Sequence, residues 1–331
     1  MSEYKYIDRL RKAMENKYSI EYIQRCSDYA KKLLDKNLPV IYDGRHASEI
    51  LELQQIKMEC YHTFTIAGKN KQRNITAPSY ELKRRQKWIL KEILEKQNVS
   101  KNCHGFLKDR SILTNAKMHI GHRNILNLDI KDFFPSITQT MVISLFQEIG
   151  YSESAAKFLA EVCCYEEKLP QGAPTSPYIS NLILRSMDEK LEKFCLKKEI
   201  TYTRYADDMS FSSNEDIGGL SDEICSIIEE YPFKINQKKI CYYQDPYRKI
   251  VTGLIVKENE VCIPKKFKRK LKQEIYYCRH LGVQKHLENT GNSERTGFKE
   301  YMYGKAYFVA MVEPETGEKY LEELDKIEWG Y

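Results

Sequence analysis

The apolar residues of the chain recur at two different spacings. In three stretches they follow every third or fourth position among lysines and glutamates, a period that predicts amphipathic helices at 4–36, 46–60 and 80–97. Residues 61–67 and 74–78 instead alternate or extend as strands, joined by the polar turn 68–73. The first hundred residues are therefore predicted to form helices around a basic hairpin.

Strands and helices continue to alternate in the rest of the chain. Predicted strands are 125–130, the two arms of a hairpin around 200–213, and one strand near 248–256. Predicted helices are 139–149, 153–165, one long helix that begins in the proline-rich loop 169–177, 219–230, 264–285 and 294–312. The long helix should bury Ile179, Ile183, Met187, Leu191 and Phe194. Because the order lacks strict βαβ regularity, we expect an α+β fold.

The composition narrows the classes of function. The 331 residues are 42% apolar and 11% aromatic, enough for a packed core. The 24 tyrosines and the net charge of +6 suit a surface that binds nucleic acid. The amino terminus is charged throughout and no run is long enough to span a membrane, so we expect a cytoplasmic protein without a membrane partner. The 10 cysteines are scattered without a CxxC pair, which predicts reduced thiols.

Two adjacent aspartates interrupt the strand pattern of TRYADDMSFSS, residues 203–213. One interpretation is an ordinary turn, since aspartate is common in turns. Like charges at this separation raise one another's proton affinity, however, unless a cation neutralises them. If the hairpin lies beside the strand that ends at Asp129, then Asp129, Asp207 and Asp208 converge and their oxygens suit Mg²⁺. Two such ions would support nucleotidyl transfer.

Several motifs resemble those of reverse transcriptases. NLDIKDFFPSI, LPQGAPTSP, YADD, INQKKI and VTGL occur in the order and approximate spacing of the palm motifs of that family. RNITAPSYELKRRQKWIL is similar to its finger region, so the resemblance covers roughly residues 55–256. It implies a right-hand polymerase with an antiparallel sheet in the palm and a helical thumb. The implied domains are N-terminal helices at 1–45, fingers and palm at 46–250, and a thumb at 251–331 that recognises RNA.

The resemblance also implies roles for single residues in catalysis. Asp129 and Asp207 would hold both Mg²⁺ ions, for which Mn²⁺ could substitute, Asp208 would complete the site, and the carbonyl of Ile130 would be a backbone ligand. Lys239 would protonate the leaving pyrophosphate, although the neighbouring Lys238 is an alternative.

A further set of residues is implied to bind dNTPs and the primer. Phe134 would pack beneath the incoming sugar and exclude a ribose 2′-OH, the alternative being a core position. Gln171 and Gly172 would lie against the nucleotide, where glycine permits a close approach of the backbone. Arg73, with Lys69 or Lys71, would meet the triphosphate, and Tyr205 would support the primer terminus.

Two stretches resemble the hallmarks of retron reverse transcriptases in particular. TNAKMH at 114–119 matches their NAxxH signature, and residues 251–253 match their VTG signature. That family implies a cognate structured non-coding RNA (msr-msd), priming from a guanosine 2′-OH, branched RNA-linked DNA (msDNA) as product, and antiphage defence with a separate effector protein. The residues then expected to bind RNA are Asn115, His119, Thr252, Gly253, Lys265, Lys268, Arg269, Lys272, Tyr276 and Tyr277.

Other interpretations of the same sequence stay open. A solvated basic helix at 264–285 and an ordinary polar loop at 114–119 would explain those segments without RNA. For the whole chain, one alternative is a group II-like or other bacterial reverse transcriptase that copies general templates. A second is a catalytically idle RNA-binding scaffold of a defence complex, although such a scaffold has no physical reason to keep three carboxylates together.

Overall fold

The computed structural model describes residues 3–53, 60–67, 72–292 and 296–329. The helices are α1 (Glu3–Met14), α2 (Ile20–Leu34), α3 (Gly44–Leu51), α4 (Tyr80–Glu92), α5 (Ile112–Lys117), α6 (Phe133–Ser136), α7 (Gln139–Ile149), α8 (Glu153–Cys163), α9 (Ser176–Ile183), α10 (Arg185–Lys197), α11 (Ser221–Glu229), α12 (Lys265–Leu281), α13 (Val283–Asn289), α14 (Phe298–Val312) and α15 (Pro314–Asp325). The strands are β1 (Tyr61–Ala67), β2 (Gln72–Pro78), β3 (Asn124–Asp129), β4 (Thr201–Tyr205), β5 (Asp208–Ser213), β6 (Cys241–Tyr243), β7 (Lys249–Val251), β8 (Leu254–Val256) and β9 (Val261–Cys262).

The described chain divides into two compact units. The first contains the residues up to Phe106, Ile130–Phe194 and Glu223–Asn236. The second contains Leu107–Asp129, Cys195–Asp222 and the residues from Gln237 onward. Among the described residues, no helix combines the length and apolar character needed to cross a lipid bilayer.

The first unit is built from helices around the antiparallel hairpin β1–β2, as predicted. Side-chain caps set several helix starts, because the hydroxyls of Ser19 and Ser79 and the carboxylate of Asp43 each accept a hydrogen bond from a free backbone N–H of the first turn. The core side of α4 carries Leu82 and Ile89, both buried. The helix predicted at 46–60 ends at Leu51, and residues 54–59 lie outside the described part of the chain.

The long helix predicted after the proline-rich loop is in fact two helices. α9 ends at Ile183 and α10 begins at Arg185. Residues 179–182 are buried on every side of α9, so a single apolar stripe does not describe that segment. Ile183 and Phe194 are consequently only half-buried, whereas Ile179, Met187 and Leu191 are buried as predicted.

The second unit contains two antiparallel sheets and a group of helices. The larger sheet has the strand order β4-β5-β3-β6, and the smaller has the order β7-β8-β9. Helices α12 to α15 pack around their own apolar cluster, which includes Leu271, Ile275, Met302, Val309 and Leu324. This cluster gives the C-terminal helices a core of their own.

The single strand predicted near 248–256 is a hairpin of two short strands. Thr252 and Gly253 form its turn, with φ values of 44° and 80°. A two-residue turn in which both residues have positive φ matches the right-handed twist of the flanking strands. The VTG segment is therefore the end of β7 and the turn into β8.

Candidate active site

Strand pairing brings three carboxylates together in the second unit. β3 and β5 pair antiparallel with Asp129 directly opposite Asp208, and Asp207 lies in the turn between β4 and β5. One ligand oxygen from each of the three aspartates lies within 4.8 Å of the others. Asp129 is buried, Asp207 is half-buried and Asp208 is exposed. The neighbouring strands that were expected to bring these carboxylates together are present.

The turn that carries Asp207 has a strained backbone. Ala206 adopts a left-handed conformation with φ of 58°, which costs an L-residue about 1–2 kcal/mol. The fully buried guanidinium of Arg204 donates from Nη1 to the carbonyl oxygen of Ala206 at 3.1 Å. This hydrogen bond holds the strained peptide in place. No role for Arg204 was predicted from the sequence, although an arginine close to two aspartates could have suggested one.

The charges of the cluster shift the titration of its members. Asp208 reaches the surface, but partial desolvation of its carboxylate, followed by the negative charges of Asp207 and Asp129, raises its pKa to about 6. Lys239 donates from Nζ to Asp129 Oδ2 at 2.5 Å. Desolvation alone would lower the pKa of Lys239, but the hydrogen bond to Asp129 and the three carboxylates outweigh it, so the pKa is raised.

The donor set fits divalent metal ions. Carboxylate oxygens are the ligands that hard cations such as Mg²⁺ prefer, and such ions keep water and substrate phosphates as further ligands, so three aspartates suffice. A bound divalent ion would stabilise the negative charge of an attacking hydroxyl and a leaving pyrophosphate. Lys239 lies at the same edge of the sheet, where it neutralises part of the charge of Asp129. Ile130 is buried, and the metal contact of its carbonyl stays a prediction.

The residues predicted to bind dNTPs lie in the first unit. Phe134 is half-buried on α6, with its ring 5.2 Å from the buried ring of Phe133 and 6.3 Å from the ring of Phe106, measured between centroids. Arg73 pairs with Ile66 in the hairpin β1–β2, although its side chain is outside the described part of the chain, as is all of Lys69. Phe134 therefore keeps an accessible surface, as a contact with a nucleotide requires.

The loop that contains Gln171 and Gly172 packs directly on β2. The backbone N–H of Thr76 donates to the carbonyl oxygen of Gln171 at 2.9 Å. Gly172 has φ of +142°, and a Cβ atom there would lie 2.7 Å from the carbonyl oxygen of Thr76. Only glycine fits this close approach without displacing the loop. In this structure, glycine is needed at position 172 because the loop packs so closely on β2.

The residues predicted to bind RNA are distributed unevenly between interior and surface. Asn115 and His119 are completely buried, so in this structure neither has surface with which to contact RNA. Lys268 forms an ion pair with Glu313 at 2.5 Å, which gives it a role in joining α12 to the start of α15. The remaining residues of α12 predicted to bind RNA are exposed: Lys265, Arg269, Lys272, Tyr276 and Tyr277.

Four of these exposed residues share one face of α12. Lys265, Arg269, Lys272 and Tyr276 follow at intervals of three or four positions, opposite the buried Leu271, Ile275 and Cys278. We call these four residues the α12 stripe. The ring of Tyr276, whose residue is 56% exposed, lies 4.2 Å from the ring of His280 between centroids.

Comparisons with known proteins match this chain to one family. A sequence profile of the family described as "Reverse transcriptase (RNA-dependent DNA polymerase)" matches residues 26–273. The chain is 34% identical over 276 residues to the Retron Ec86 reverse transcriptase of Escherichia coli, covering 82% of each chain. It is 31% identical over 300 residues to the Retron Mx162 reverse transcriptase of Myxococcus xanthus, covering 81% of this chain and 61% of that one. A solved telomerase structure from Candida albicans, in complex with a fragment of telomeric RNA, has a TM-score of 0.46 at 12% identity and covers 92% of this chain and 68% of its own.

The antiparallel sheet with its aspartate cluster and the matching profile define an RNA-directed DNA polymerase, and the chain belongs to the reverse transcriptase family. Its α+β fold is of the right-hand polymerase class, as the motifs implied. Within that family it belongs to the bacterial retron reverse transcriptases. Enzymes of this family use divalent metal ions, and the cluster of three aspartates is the place where this chain can hold them.

Asp208→Asn should abolish DNA synthesis and stabilise the metal-free protein. In EDTA at pH 8 we expect the melting temperature to rise by roughly 1–3 °C, because the substitution removes a negative charge that is partly desolvated and is repelled by its neighbours. The pKa of Asp208 is higher in the folded than in the unfolded protein, so between about pH 4 and pH 6 the folded protein binds a proton at Asp208 that the unfolded chain has lost. The destabilising effect of the Asp208 charge on the folded state therefore disappears as pH falls through that window. The gain should therefore shrink at low pH, and Mg²⁺ should raise the melting temperature of the variant less than that of the parent.

Asp216→Asn is the matched control for this prediction. Asp216 is an exposed carboxylate of the same unit whose pKa is lowered by a hydrogen bond from Tyr242, so its charge is stabilising. Its replacement should leave DNA synthesis unchanged and lower stability slightly above about pH 4. Synthesis by purified Asp208→Asn at the parental rate would contradict the assignment of the cluster.

Gly172→Ala should destabilise the protein by about 1–3 kcal/mol, because the new methyl group meets the carbonyl of Thr76 and the backbone conformation is unfavourable for alanine. Gly304→Ala is the control, for which we expect a change in stability of the opposite sign. Gly304 lies in α14 with open space around its Cβ position, so alanine there should stabilise by about 0.5–1 kcal/mol. Denaturant unfolding measures both changes, and equal effects at the two glycines would refute the packing argument.

Proposed function

We propose that this enzyme copies part of a cognate structured non-coding RNA, of the msr-msd type, into single-stranded DNA that stays joined to the RNA as msDNA. Synthesis starts from the 2′-OH of a specific guanosine in that RNA. It uses dNTPs and two Mg²⁺ ions held by Asp129, Asp207 and Asp208. The enzyme acts in the cytoplasm in defence against phage, together with a separate effector protein. The similarity over 82% of both chains to a retron reverse transcriptase supports this proposal.

The observation that carries the RNA-binding part of the proposal is the α12 stripe. Three cations in register with an exposed tyrosine suit phosphates followed by a base or a ribose that stacks on the ring. The turn residues Thr252 and Gly253 lie in the same unit and supply polar backbone for recognition of RNA shape. Lys268, being paired with Glu313, is assigned to the fold of the thumb and not to RNA.

The polymerisation step assigns roles to the remaining predicted residues. Lys239, which its raised pKa keeps protonated beside Asp129, donates a proton to the leaving pyrophosphate. The half-exposed ring of Phe134 rejects a ribose 2′-OH by steric exclusion. Gln171 and Gly172 present backbone to the nucleotide, Arg73 and Lys69 meet the triphosphate, and Tyr205 supports the primer terminus. These roles follow the motifs of the family that this chain shares.

The experiment that tests the proposal isolates the enzyme from its host and examines the nucleic acid bound to it. We expect a branched RNA–DNA molecule whose junction is resistant to RNases and sensitive to an enzyme that cleaves 2′-5′ linkages. The same preparation from Asp207→Asn should contain the RNA without DNA. Recovery of linear DNA copied from unrelated RNAs would favour the enzyme that uses general templates, and RNA without DNA from the parent would favour the scaffold.

Replacing both Lys265 and Lys272 by alanine should weaken binding of cognate and unrelated structured RNA alike, because these cations neutralise phosphate without reading sequence. The plot of log affinity against log salt concentration should become shallower by about 1–2. Tyr276→Ala should instead reduce the preference for the cognate RNA at unchanged salt dependence. Competition binding at two salt concentrations measures both effects.

Lys270→Ala is the matched control for the double lysine variant. Lys270 lies on the same helix, outside the α12 stripe, and forms an ion pair with Glu274. Its removal should change RNA affinity by less than about two-fold, since it lies outside the face that the stripe occupies, and its long, partly exposed pair with Glu274 adds little to stability. An equal loss of affinity in the control would show that general positive charge, and not the stripe, binds the RNA.

A further inference from the structure

The face of the larger sheet that carries the aspartates is arranged in successive rungs. Alternate residues of a strand share a face, so the register of β4, β5 and β3 places equivalent residues side by side. The first rung contains Asp129, Asp208 and Tyr205; the second contains Asn127, Ser210 and Thr203; the third contains Ile125, Ser212 and Thr201. The second rung lies directly behind the aspartates and is polar on all three strands.

The side chains of the second rung are joined by hydrogen bonds. Ser210 Oγ donates to Asn127 Oδ1 at 2.9 Å, and Asn127 Nδ2 donates to the carbonyl oxygen of Ile250 in β7 at 2.7 Å. Thr203 and Ser210 are almost completely buried. Asn127 therefore links the two catalytic strands of the larger sheet with the first strand of the smaller one.

His119 joins the second rung to the third. One ring nitrogen, Nε2, lies 2.7 Å from Thr203 Oγ1 in β4, and the other, Nδ1, lies 2.7 Å from Ser212 Oγ in β5. His119, Thr203 and Ser212 have at most 1% of their surface exposed. Whichever nitrogen carries the proton, each hydroxyl can rotate to donate to it or accept from it. The imidazole thus bridges the two arms of the hairpin whose turn holds Asp207.

This network penalises any slip of the catalytic hairpin. The strands have only 5 and 6 residues, and a shift of two positions would keep every side chain on its face while moving Asp208 about 6–7 Å along β3. An apolar layer would tolerate that shift, because apolar contacts are not directional. Buried hydroxyl, amide and imidazole groups would lose their partners, and each unpaired group costs about 1–3 kcal/mol.

We propose that His119 and Asn127 are positioning residues of the active site: they fix the register that places Asp208 and Asp207 against Asp129. This inference gives a role to the histidine of the NAxxH segment, whose buried side chain cannot contact RNA as the structure stands. The VTG turn belongs to the same assembly, since Thr252 Oγ1 donates to the carbonyl oxygen of Ile112 in α5 at 3.3 Å. The inference rests on the polymerase activity alone and is independent of the cognate RNA.

The test measures single-nucleotide addition to a simple primed RNA template by variants of full-length enzyme. His119→Leu keeps the volume and removes both hydrogen bonds, and its single-turnover rate should fall about ten-fold with the KM for dNTP changed less than about two-fold. The Mg²⁺ concentration for half-maximal rate should rise, because displaced carboxylates hold metal less well. His119→Gln, which retains a polar group within reach of a hydroxyl, should recover part of the rate.

Thr203→Val and Ser212→Ala test the same network with small changes that keep the fold, so they decide the matter where His119→Leu does not fold. Each should lower the single-turnover rate and raise the Mg²⁺ requirement. Combining Thr203→Val with His119→Leu should lower the rate by no more than His119→Leu does alone, within about two-fold, because both changes remove the same hydrogen bond.

His122→Leu is the matched control. His122 precedes the same sheet, and its Nε2 lies 3.3 Å from Thr201 Oγ1 at the end of β4 remote from the aspartates, so its loss should leave rate and Mg²⁺ requirement unchanged. A set of folded variants at Thr203, Ser212 and His119 with lowered melting temperature but parental rate and Mg²⁺ requirement would overturn the proposal. Rate losses that multiply in the double variant would also overturn it. Neither outcome bears on msDNA synthesis, which the branched product tests.

Discussion

The pairing of β3 with β5 is the constraint on which the catalytic unit depends, because it forces Asp129 and Asp208 to face each other with Asp207 beside them. Three carboxylates within 4.8 Å repel one another, and this repulsion adds to partial desolvation in raising the pKa of Asp208. The protein offsets part of it with Lys239, which donates to Asp129. Bound divalent cations can offset the rest, so the repulsion within the cluster also favours metal binding.

Such a cluster needs a rigid support, and this chain supplies it largely with polar groups. Arg204 is fully buried and holds the carbonyl of the strained Ala206, while His119 and Asn127 connect the strands behind the aspartates. A wholly apolar support would bury more hydrocarbon and avoid desolvating a guanidinium and an imidazole. Directional hydrogen bonds, however, specify one register among several that apolar packing would permit. We therefore interpret the second rung as fixing the position of the aspartates, and not chiefly as increasing the free energy of unfolding.

Much of this architecture could be predicted from the sequence. The periodicity located β1, β2, β3, α4, α7 and α12, and the aspartate cluster followed from one carboxylate at a strand end and two at a hairpin tip. The break at Leu184 could not be predicted, because a segment buried on all sides has no periodic stripe. The interior positions of Asn115 and His119 were missed for a related reason, because polar residues in a motif suggest surface. For His119, only the strand register shows which buried hydroxyls are available to pair with the ring.

The lysines of α12 show why sequence alone could not separate solvent-facing cations from those paired within the protein. In the sequence of a basic amphipathic helix, Lys265, Lys268 and Lys272 look equivalent. Lys268, however, donates a hydrogen bond to the carboxylate of Glu313 at the start of α15, which also accepts a hydrogen bond from the backbone N–H of Ile263. A lysine neutralised in this way has little charge left for phosphate, whereas Lys265 and Lys272 face solvent. The difference arises from the acidic partner some 45 residues away in sequence, and only the fold brings the two together. The number of cations in a helix is therefore a poor measure of the charge that it presents to solvent, because the side on which each one lies decides whether a protein carboxylate already pairs with it.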